Sequence, residues 1–365
     1  MLKNLLWSLL AAVLIVQAGC SFGHKVERET AERRLTLMTW NVHNLFDGSD
    51  NGYEYNEFRE FSGWSAEKYL GRINSISAAI AAVEPRPDII LLQEIESFKI
   101  LEDLALSMPG NYSWSHFANN PGAAVGLGVI SSILPKDSRV HSITINGETI
   151  PRPVMEIRFD MDGEAFVIFA CHWKSKAGGD DTTENIRRAS ARVILRRIRE
   201  LWGSEPELGI IVAGDLNENH DEFYKLNSGV ICALLGDDPS CVQLTGFLEY
   251  NEETAIPQKD FIVISGNKPP LPVHFPQKSI VLFSPWMDGL ENGSYYYKGN
   301  WETIDHFLVS GQFFNNDGWE YEMAAVADNK PFTNNGGTPA AYNARTGAGL
   351  SDHLPLILSL RRISD

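Results

Sequence analysis

Six short apolar segments of the chain each have polar residues at one end. In four of them the polar residues follow: Asn41 after 35–40, Glu94 after 88–92, His172 after 166–171, and Asp215 and Asn217 after 210–213. In two they come first: Asp305 before 307–309, and Asp352 and His353 before 354–358. Continuous apolar runs of this length are typical of strands buried on both faces. If the last two strands run opposite to the first four, all these polar groups meet at one edge.

The segment 210–217 shows which binding groups such an edge would contain. Side chains alternate along a strand, so Asp215 and Asn217 point to the same side. An acid and an amide placed together are able to hold a hard cation, a water and a phosphate oxygen. Strand-end Asp and Asn also commonly cap turns, so this pair gains weight only from the other segments with the same pattern.

Two stretches have helical periodicity. The first begins at Ser65 as N-cap, and its apolar positions recur at helical spacing: Leu70, Ile73, Ile76, Ala79, Ile80 and Val83. The second is capped by Thr182 or Thr183 and has one apolar side. Its other side carries five arginines, for which we expect a solvated face: Arg187, Arg188, Arg192, Arg196 and Arg199.

Two further local patterns predict paired strands. Asp162-Gly163 is a turn signal between the alternating segment 152–159 and the strand that leads to His172. The aromatic segment 295–301 is predicted to form a strand pair that covers the core. Stacking of its rings on nucleic-acid bases is the alternative.

Composition places the chain among ordinary globular proteins. It has 365 residues, of which 44% are hydrophobic and 21% charged. Because no half of the sequence contains all the polar strand ends, we expect one domain over residues 35–362. The net charge of −16 argues against an extended basic groove for nucleic acid.

The N-terminus has the features of an export signal. Lys3 precedes an apolar run of about a dozen residues, which suits a signal-peptide core but is too short to span a bilayer. Ala18-Gly19-Cys20 resembles a bacterial lipoprotein processing site, although Gln17 stands where that motif usually has an apolar residue. We therefore predict a signal peptide over residues 1–19, lipidation of Cys20, and a polar tether over 20–34. The protein would be anchored to a bacterial membrane, on its periplasmic or cell-surface side.

Besides Cys20, the chain has three cysteines. Cys171 lies inside an apolar run and is predicted to be a packed free thiol. Cys232 and Cys241 flank the turn-forming segment 236–239, and in an oxidising compartment we expect them to form a disulfide.

The six strand-end motifs together resemble the endonuclease/exonuclease/phosphatase superfamily. The motifs stand in the order expected for that group: Thr39-Trp40-Asn41, Leu92-Gln93-Glu94, His172-Trp173-Lys174, Gly214-Asp215-Leu216-Asn217, Ile304-Asp305-His306 and Ser351-Asp352-His353. The resemblance implies a four-layer α/β sandwich, in which two mixed β-sheets pack face to face with helices outside.

The resemblance also implies roles for the motif residues. Glu94 would be the principal metal ligand, supported by Asn41, while Asp215, Asn217 and Asp352 complete a second metal or phosphate subsite. His353 would be the general base oriented by Asp305, and His172 would act on the leaving-group side. Hard oxygen ligands suit Mg²⁺ or Mn²⁺, with Ca²⁺ as a further option. Three residues near the site are expected to contact substrate phosphate: Lys174, Lys176 and Arg188.

These inferences favour an exported, metal-dependent phosphodiesterase that acts as a nuclease on DNA or RNA, as a monomer. A phospholipid or sphingomyelin phosphodiesterase, or a phosphatase, is the second hypothesis, because a lipid anchor would hold the enzyme close to such substrates. A non-catalytic surface binding protein is the third, and it would be expected to have lost metal or base residues.

Overall fold

Two large mixed sheets form the centre of the computed structural model, which describes residues 33–222, 232–237, 262–268 and 280–363. The first has six strands: β1 (Arg34–Leu45), β2 (Ile89–Ile95), β3 (Trp114–Ala118), β4 (Gly126–Ser131), β17 (Trp319–Val326) and β18 (Leu356–Arg362). The second has eight: β5 (Asp137–His141), β8 (Val154–Met161), β9 (Glu164–His172), β10 (Gly209–Asp215), β11 (Leu234–Asp237), β12 (Ile262–Ser265), β13 (Val281–Phe283) and β16 (Asp305–Val309).

The strand directions confirm the arrangement predicted from the sequence. The six-stranded sheet has the order β17-β18-β1-β2-β4-β3, with β1 parallel to β2 and antiparallel to β18. The eight-stranded sheet has the order β11-β12-β13-β16-β10-β9-β8-β5, with β10 parallel to β9 and antiparallel to β16. The polar residues in the C-terminal parts of β1, β2, β9 and β10 therefore lie at the same edges as those that begin β16 and precede β18.

Three buried clusters hold four layers together. One lies between the sheets and includes Leu37 and Leu91 from the first sheet and Phe159 and Ile211 from the second. Helices α1 (Ala66–Ala81) and α2 (Phe98–Ser107) pack on the outer face of the six-stranded sheet, and α3 (Asp180–Ser204) packs on the outer face of the eight-stranded sheet. The predicted four-layer α/β sandwich is confirmed.

The N-terminal cap of α1 is as predicted, because Ser65 accepts a hydrogen bond from the Lys68 amide. One position of its predicted apolar face is wrong. Leu70 is 54% exposed, whereas the neighbouring Tyr69 is buried beside Ile73 and Ile76. The helix therefore faces the sheet through a stripe rotated by one residue at its N-terminal end.

Helix α3 differs more from expectation. It begins at Asp180 with Gly179 as N-cap, not at Thr182 or Thr183. Arg192 and Arg196 are exposed as predicted, but Arg187 is only 1% exposed. Burial of this arginine is possible because Glu184 and Glu218 bind its guanidinium, and periodicity alone does not reveal such partners.

The predicted hairpin turn joins β8 to β9. Asp162 and Gly163 both have positive φ, of 56° and 84°, as a two-residue type I′ turn requires. Two short hairpins complete the described part: β6 (Thr144–Ile145) with β7 (Glu148–Thr149), and β14 (Tyr295–Tyr297) with β15 (Asn300–Glu302). The second confirms the strand pair predicted in the aromatic segment, but the rings of Tyr296 and Tyr297 are exposed and do not cover the core. Over the described residues, no helix is long and apolar enough to cross a bilayer.

Candidate active site

A cavity of about 720 Å³ opens where the ends of the two sheets meet. Its walls include six of the predicted site residues: Glu94, His172, Asp215, Asn217, Asp352 and His353. Asn41 and Asp305 are buried and hydrogen-bond to residues of this wall. The tertiary structure therefore brings all eight residues together, four from strand ends of each sheet.

The half contributed by the six-stranded sheet is built on two irregular strands. The β1–β2 register shifts between Asn41 and Leu45, and the β2–β4 register shifts around Glu94, whose φ is 66°. The Asn41 Nδ2 donates to Glu94 Oε1 at 3.1 Å and to Asp215 Oδ2 at 3.0 Å. The bulges thus turn Glu94 towards an acid of the opposite sheet.

The half contributed by the eight-stranded sheet is regular. β9 and β10 pair in parallel without a shift, so that Asp215 lies beside His172, with 3.5 Å between Asp215 Oδ2 and His172 Nε2. Asp215 Oδ1 accepts the Asn217 amide at 2.9 Å, and Asn217 Nδ2 donates to the Trp173 carbonyl at 3.1 Å. These contacts fix the acid and the amide on the cavity wall.

Burial shifts the pKa values of Asp215 and His172 in this half. It raises the pKa of Asp215 to about 7, and the neighbouring Asp305 carboxylate adds to the rise. Burial also holds the pKa of His172 well below its usual value, with Arg152, His353 and Lys174 acting in the same direction. His172 is therefore neutral at pH 7 and offers a hydrogen bond rather than a charge.

His353 and Asp305 form a close pair between the sheets. Nδ1 of His353 lies 2.8 Å from Asp305 Oδ2, and the His353 amide is held by Ser351 Oγ at 3.0 Å. Burial opposes protonation of His353, but the charge and hydrogen bond of Asp305 outweigh it and raise its pKa to about 10. The ring of Tyr295 packs on His353 with 4.6 Å between centroids. His353 is thus fixed in orientation and strongly basic.

The donor set of the cavity fits a hard divalent cation. Among the described residues, ligand atoms of Asp215, Asp305 and His353 lie within 4.8 Å of one another. This group differs from the predicted metal ligands Asn41, Glu94 and Asp352, of which Glu94 and Asp352 line the same cavity. Asp305 Oδ1 is buried and has no hydrogen-bond partner in this part of the chain, so a lone pair is left for a positive group. Carboxylate oxygens prefer Mg²⁺, Mn²⁺ or Ca²⁺. Asp352 is partly exposed and lies 3.4 Å from His43 Nδ1.

The predicted phosphate contacts are placed less favourably than expected. Lys176 lines the cavity but forms an ion pair with Glu222. Neither Lys174, whose amine donates to Ser175 Oγ at 3.2 Å, nor Arg188 is on the cavity wall. Because Lys176 already has a carboxylate partner, the three predicted cations do not form a phosphate-binding cluster.

Sequence reasoning missed a cation that does line the cavity. Arg152 donates to the Trp173 carbonyl and lies two residues before the start of β8. Since β8 is antiparallel to β9, its start lies at the edge where β9 ends in His172. The rule that identified Asp305 and His353 would therefore have identified Arg152 as well. The cavity wall also includes Tyr295, Tyr297 and Trp301, so the aromatic hairpin belongs to the site.

The cysteine predictions have different outcomes. Cys171 is a buried free thiol, as predicted. Cys232 is also a buried free thiol, so the predicted Cys232–Cys241 disulfide is not formed in this structure. Burial raises the pKa of the Cys232 thiol, with Glu218 and Glu184 adding to the rise, which disfavours the reactive thiolate. Cys241, like Cys20 and the whole predicted signal segment, lies outside the described residues.

Solved structures similar to this chain have little sequence in common with it. Truncated TDP2 of Caenorhabditis elegans is 13% identical, with a TM-score of 0.50, over 90% of this chain and 97% of the other. An endonuclease/exonuclease/phosphatase family protein from Leptotrichia buccalis is 15% identical, with a TM-score of 0.48, over 89% and 99%. The endonuclease/exonuclease/phosphatase from Bacteroides vulgatus is 15% identical, with a TM-score of 0.48, over 90% and 98%.

The family assignment rests on sequence. A search of curated proteins finds no significant match. The model of the Endonuclease/Exonuclease/phosphatase family matches residues 36–235, more than half of the chain. Members of this family are phosphoester hydrolases that use divalent metals. With the strand-end site described above, this match shows that the chain belongs to the endonuclease/exonuclease/phosphatase family.

Proposed function

We propose that this protein is an exported, divalent-metal-dependent phosphodiesterase that hydrolyses nucleic acid. The observation that carries the proposal is the Asp305–His353 pair, buried at the floor of a cavity that also holds His172, Asp215 and Arg152. Phosphodiester hydrolysis requires a base for water, positive charge for the phosphate oxygens and help for the departing oxygen. The cavity contains residues suited to each task.

His353 is the proposed base. Its Nδ1 is bound to Asp305, which leaves Nε2 to accept a proton from water, and the Asp305 carboxylate stabilises the imidazolium that results. A divalent cation held by Glu94, Asn41 and Asp352 would supply positive charge for the phosphate and offset the carboxylates that keep His353 protonated. Asp215 and Asn217, fixed to each other, complete the polar wall.

His172 and Arg152 are proposed to act on the substrate itself. Neutral His172 donates a hydrogen bond to the departing oxygen, which develops negative charge in the transition state. Arg152 offers guanidinium donors to a phosphate oxygen, an interaction for which its planar fork is well suited. Arg152 is thus proposed for the phosphate-binding role that the sequence had suggested for Lys174, Lys176 and Arg188.

The aromatic wall supports nucleic acid as the substrate class. The rings of Tyr297 and Trp301 line the cavity, and stacking on such rings is a common way to hold unpaired bases. The net charge of −16 favours contact with a few nucleotides at the cavity over an extended groove. We propose a monomer acting on a short, accessible stretch of DNA or RNA.

A substrate panel tests this function. Purified protein is offered plasmid DNA, single-stranded RNA, sphingomyelin and inositol phosphates, each with Mg²⁺ or with EDTA. We expect Mg²⁺-dependent cleavage of nucleic acid, lost in His353→Ala and kept in His116→Ala, a histidine outside the cavity. Cleavage of sphingomyelin or inositol phosphate alone would support the second hypothesis. Full turnover in EDTA would contradict metal dependence, and no turnover of any substrate would favour a binding protein.

Export through a lipidated Cys20 is a separate part of the proposal. It rests on the charge at Lys3, the apolar run and the Ala18-Gly19-Cys20 sequence. In bacteria given labelled palmitate, the wild-type protein should become labelled and Cys20→Ser should not. A protein that stays in the cytoplasm with Met1 retained would contradict export and leave the catalytic proposal unaffected.

A further inference from the structure

A buried arginine lies behind the strand end that carries Asn41. Arg72 of α1 is only 2% exposed, and its guanidinium donates to three consecutive backbone carbonyls. Nη1 donates to the Asn44 oxygen at 2.6 Å, and Nη2 to the Val42 oxygen at 2.6 Å and to the His43 oxygen. Within the described part of the chain, none of its hydrogen-bond acceptors is a carboxylate. Arg72 is therefore a buried cation balanced mainly by backbone dipoles.

Two aromatic rings complete the environment of this guanidinium. Its central carbon lies 3.8 Å from the centroid of the Tyr342 ring and 5.7 Å from that of Phe58. A cation over a ring face is attracted by the ring quadrupole, and the attraction is larger when both groups are dry. Tyr342 and Phe58 therefore hold the guanidinium plane against the turn formed by residues 42–44.

The same turn holds the proposed metal ligands on its other side. The His43 amide donates to Asn41 Oδ1 at 2.9 Å, and the Asn44 amide donates to Glu94 Oε2 at 2.8 Å. In each of the peptide groups 42–43 and 43–44, the oxygen accepts a hydrogen bond from Arg72 and the N–H donates one to a proposed metal ligand. A peptide dipole between a cation and a carboxylate is stabilised at both ends, so Arg72 supports the charge of Glu94 without touching it.

The conformation of the turn explains why it needs support. His43 and Asn44 have φ values of 56° and 57°. Residues other than glycine adopt this left-handed backbone conformation at a cost in free energy. Burial lowers the pKa of Arg72 to about 9, while Tyr342, Glu94 and Asp352 act in the opposite direction. The free energy lost in burying this cation is thus recovered partly through the acids of the site.

We propose that Arg72 is a positioning residue that sets the affinity of the site for its divalent cation by holding the left-handed turn at His43–Asn44, which orients Asn41 and Glu94. This inference rests on the proposed metal-dependent function. It assigns Arg72 no contact with substrate or metal. Residues that orient metal ligands typically change metal affinity by about 10- to 100-fold when they are replaced.

The test is the affinity for Mn²⁺, measured by electron paramagnetic resonance on the purified protein. Arg72→Lys keeps the charge but lacks the planar fork, and Arg72→Gln removes the charge. Both should bind Mn²⁺ about 10- to 100-fold more weakly, and the amide resonance of Asn44 should shift in the metal-free protein. Ile76→Ala, in the same helix and core, controls for general destabilisation and should leave the affinity unchanged.

A second pair of variants keeps the test decisive if the Arg72 variants do not fold. Tyr342→Leu removes the ring beneath the guanidinium, whereas Tyr342→Phe keeps the ring and removes a hydroxyl that has no partner among the described residues. Only Tyr342→Leu should weaken Mn²⁺ binding, by several fold. Wild-type affinity in folded Arg72→Lys, Arg72→Gln or Tyr342→Leu would overturn the inference. Failure of the wild-type protein to bind Mn²⁺ would instead contradict the proposed function.

Discussion

The two halves of the site are each backed by a buried arginine, but the two arginines are balanced differently. Arg72, behind Asn41 and Glu94, meets carbonyl oxygens and ring faces. Arg187, behind the Asp215 strand, meets Glu184 at 2.8 Å and Glu218 at 2.8 Å. The first cation supports Glu94 from the far side of a turn, whereas the second binds two glutamates directly.

The two halves also differ in backbone conformation and in the regularity of strand pairing. In the six-stranded sheet, His43, Asn44 and Glu94 all have left-handed backbone at register shifts. In the eight-stranded sheet, β9 and β10 pair without a break up to His172 and Asp215. Arg187 also donates to the Lys174 carbonyl at 3.1 Å, which ties the loop after His172 to α3. Three left-handed residues of the site therefore lie in the first half and one, Asn217 with a φ of 53°, lies in the second, whereas the buried arginine–glutamate pairing belongs to the second half.

The largest effect should separate the histidines of the two halves. His353→Ala should lower turnover by about 10²–10⁴-fold, the range for loss of a general base. His172→Ala removes help for the departing oxygen, so a p-nitrophenyl phosphodiester, which has a good leaving group, should partly rescue it but not His353→Ala. Steady-state kinetics on both substrates measures the difference. Equal losses for both variants on both substrates would refute this division of roles.

The next effect concerns Arg187 and its acids. Arg187→Met leaves Glu184 and Glu218 buried without their cation, and it should lower the free energy of unfolding by about 3–5 kcal/mol. Adding Glu184→Gln and Glu218→Gln to this variant should restore most of the stability, because a neutral set avoids the unpaired charges. Urea denaturation monitored by circular dichroism measures both. A loss below about 1 kcal/mol, as for an exposed pair, would show that the cluster is not balanced as described.

The smallest effect concerns the pH dependence of stability, to which His306 and His353 contribute in opposite directions. Burial lowers the pKa of His306 to about 4, although its Nε2 lies 2.8 Å from the Glu218 carbonyl. Below pH 6.5 His306 is protonated in the unfolded chain but stays neutral in the folded protein. The free energy of unfolding should therefore fall by about 3 kcal/mol between pH 6.5 and 4. His306→Gln should reduce this loss. In the metal-free protein His353 acts oppositely: its contribution is fully present below pH 6.5 and is lost as pH rises towards 10.

Urea denaturation across this pH range, in EDTA, measures the His306 effect. A stability profile that is the same for His306→Gln and wild type between pH 6.5 and 4 would contradict it.

Local sequence patterns determined the strands that carry the candidate site and the residues at their ends. Apolar runs identify β1, β2, β9, β10, β16 and β18, because burial on both faces requires continuous apolar side chains. The position of the polar residues, before or after each run, gives the strand directions, since a site needs them at one edge. For this reason Asn41, Glu94, Asp215 and His353 could be named from the sequence.

The tertiary structure decided how these residues are held and what surrounds them. The arginines of α3 look alike in sequence, yet Arg187 is buried by Glu218 from a distant loop while Arg192 is exposed. In the sequence Arg72 is one of several polar residues of an amphipathic helix, and only the turn at 42–44 supplies its acceptors. Hydrophobic periodicity reports which side of an element is buried. It does not report partners that are far apart in sequence, and the charge and orientation of this site depend on those partners.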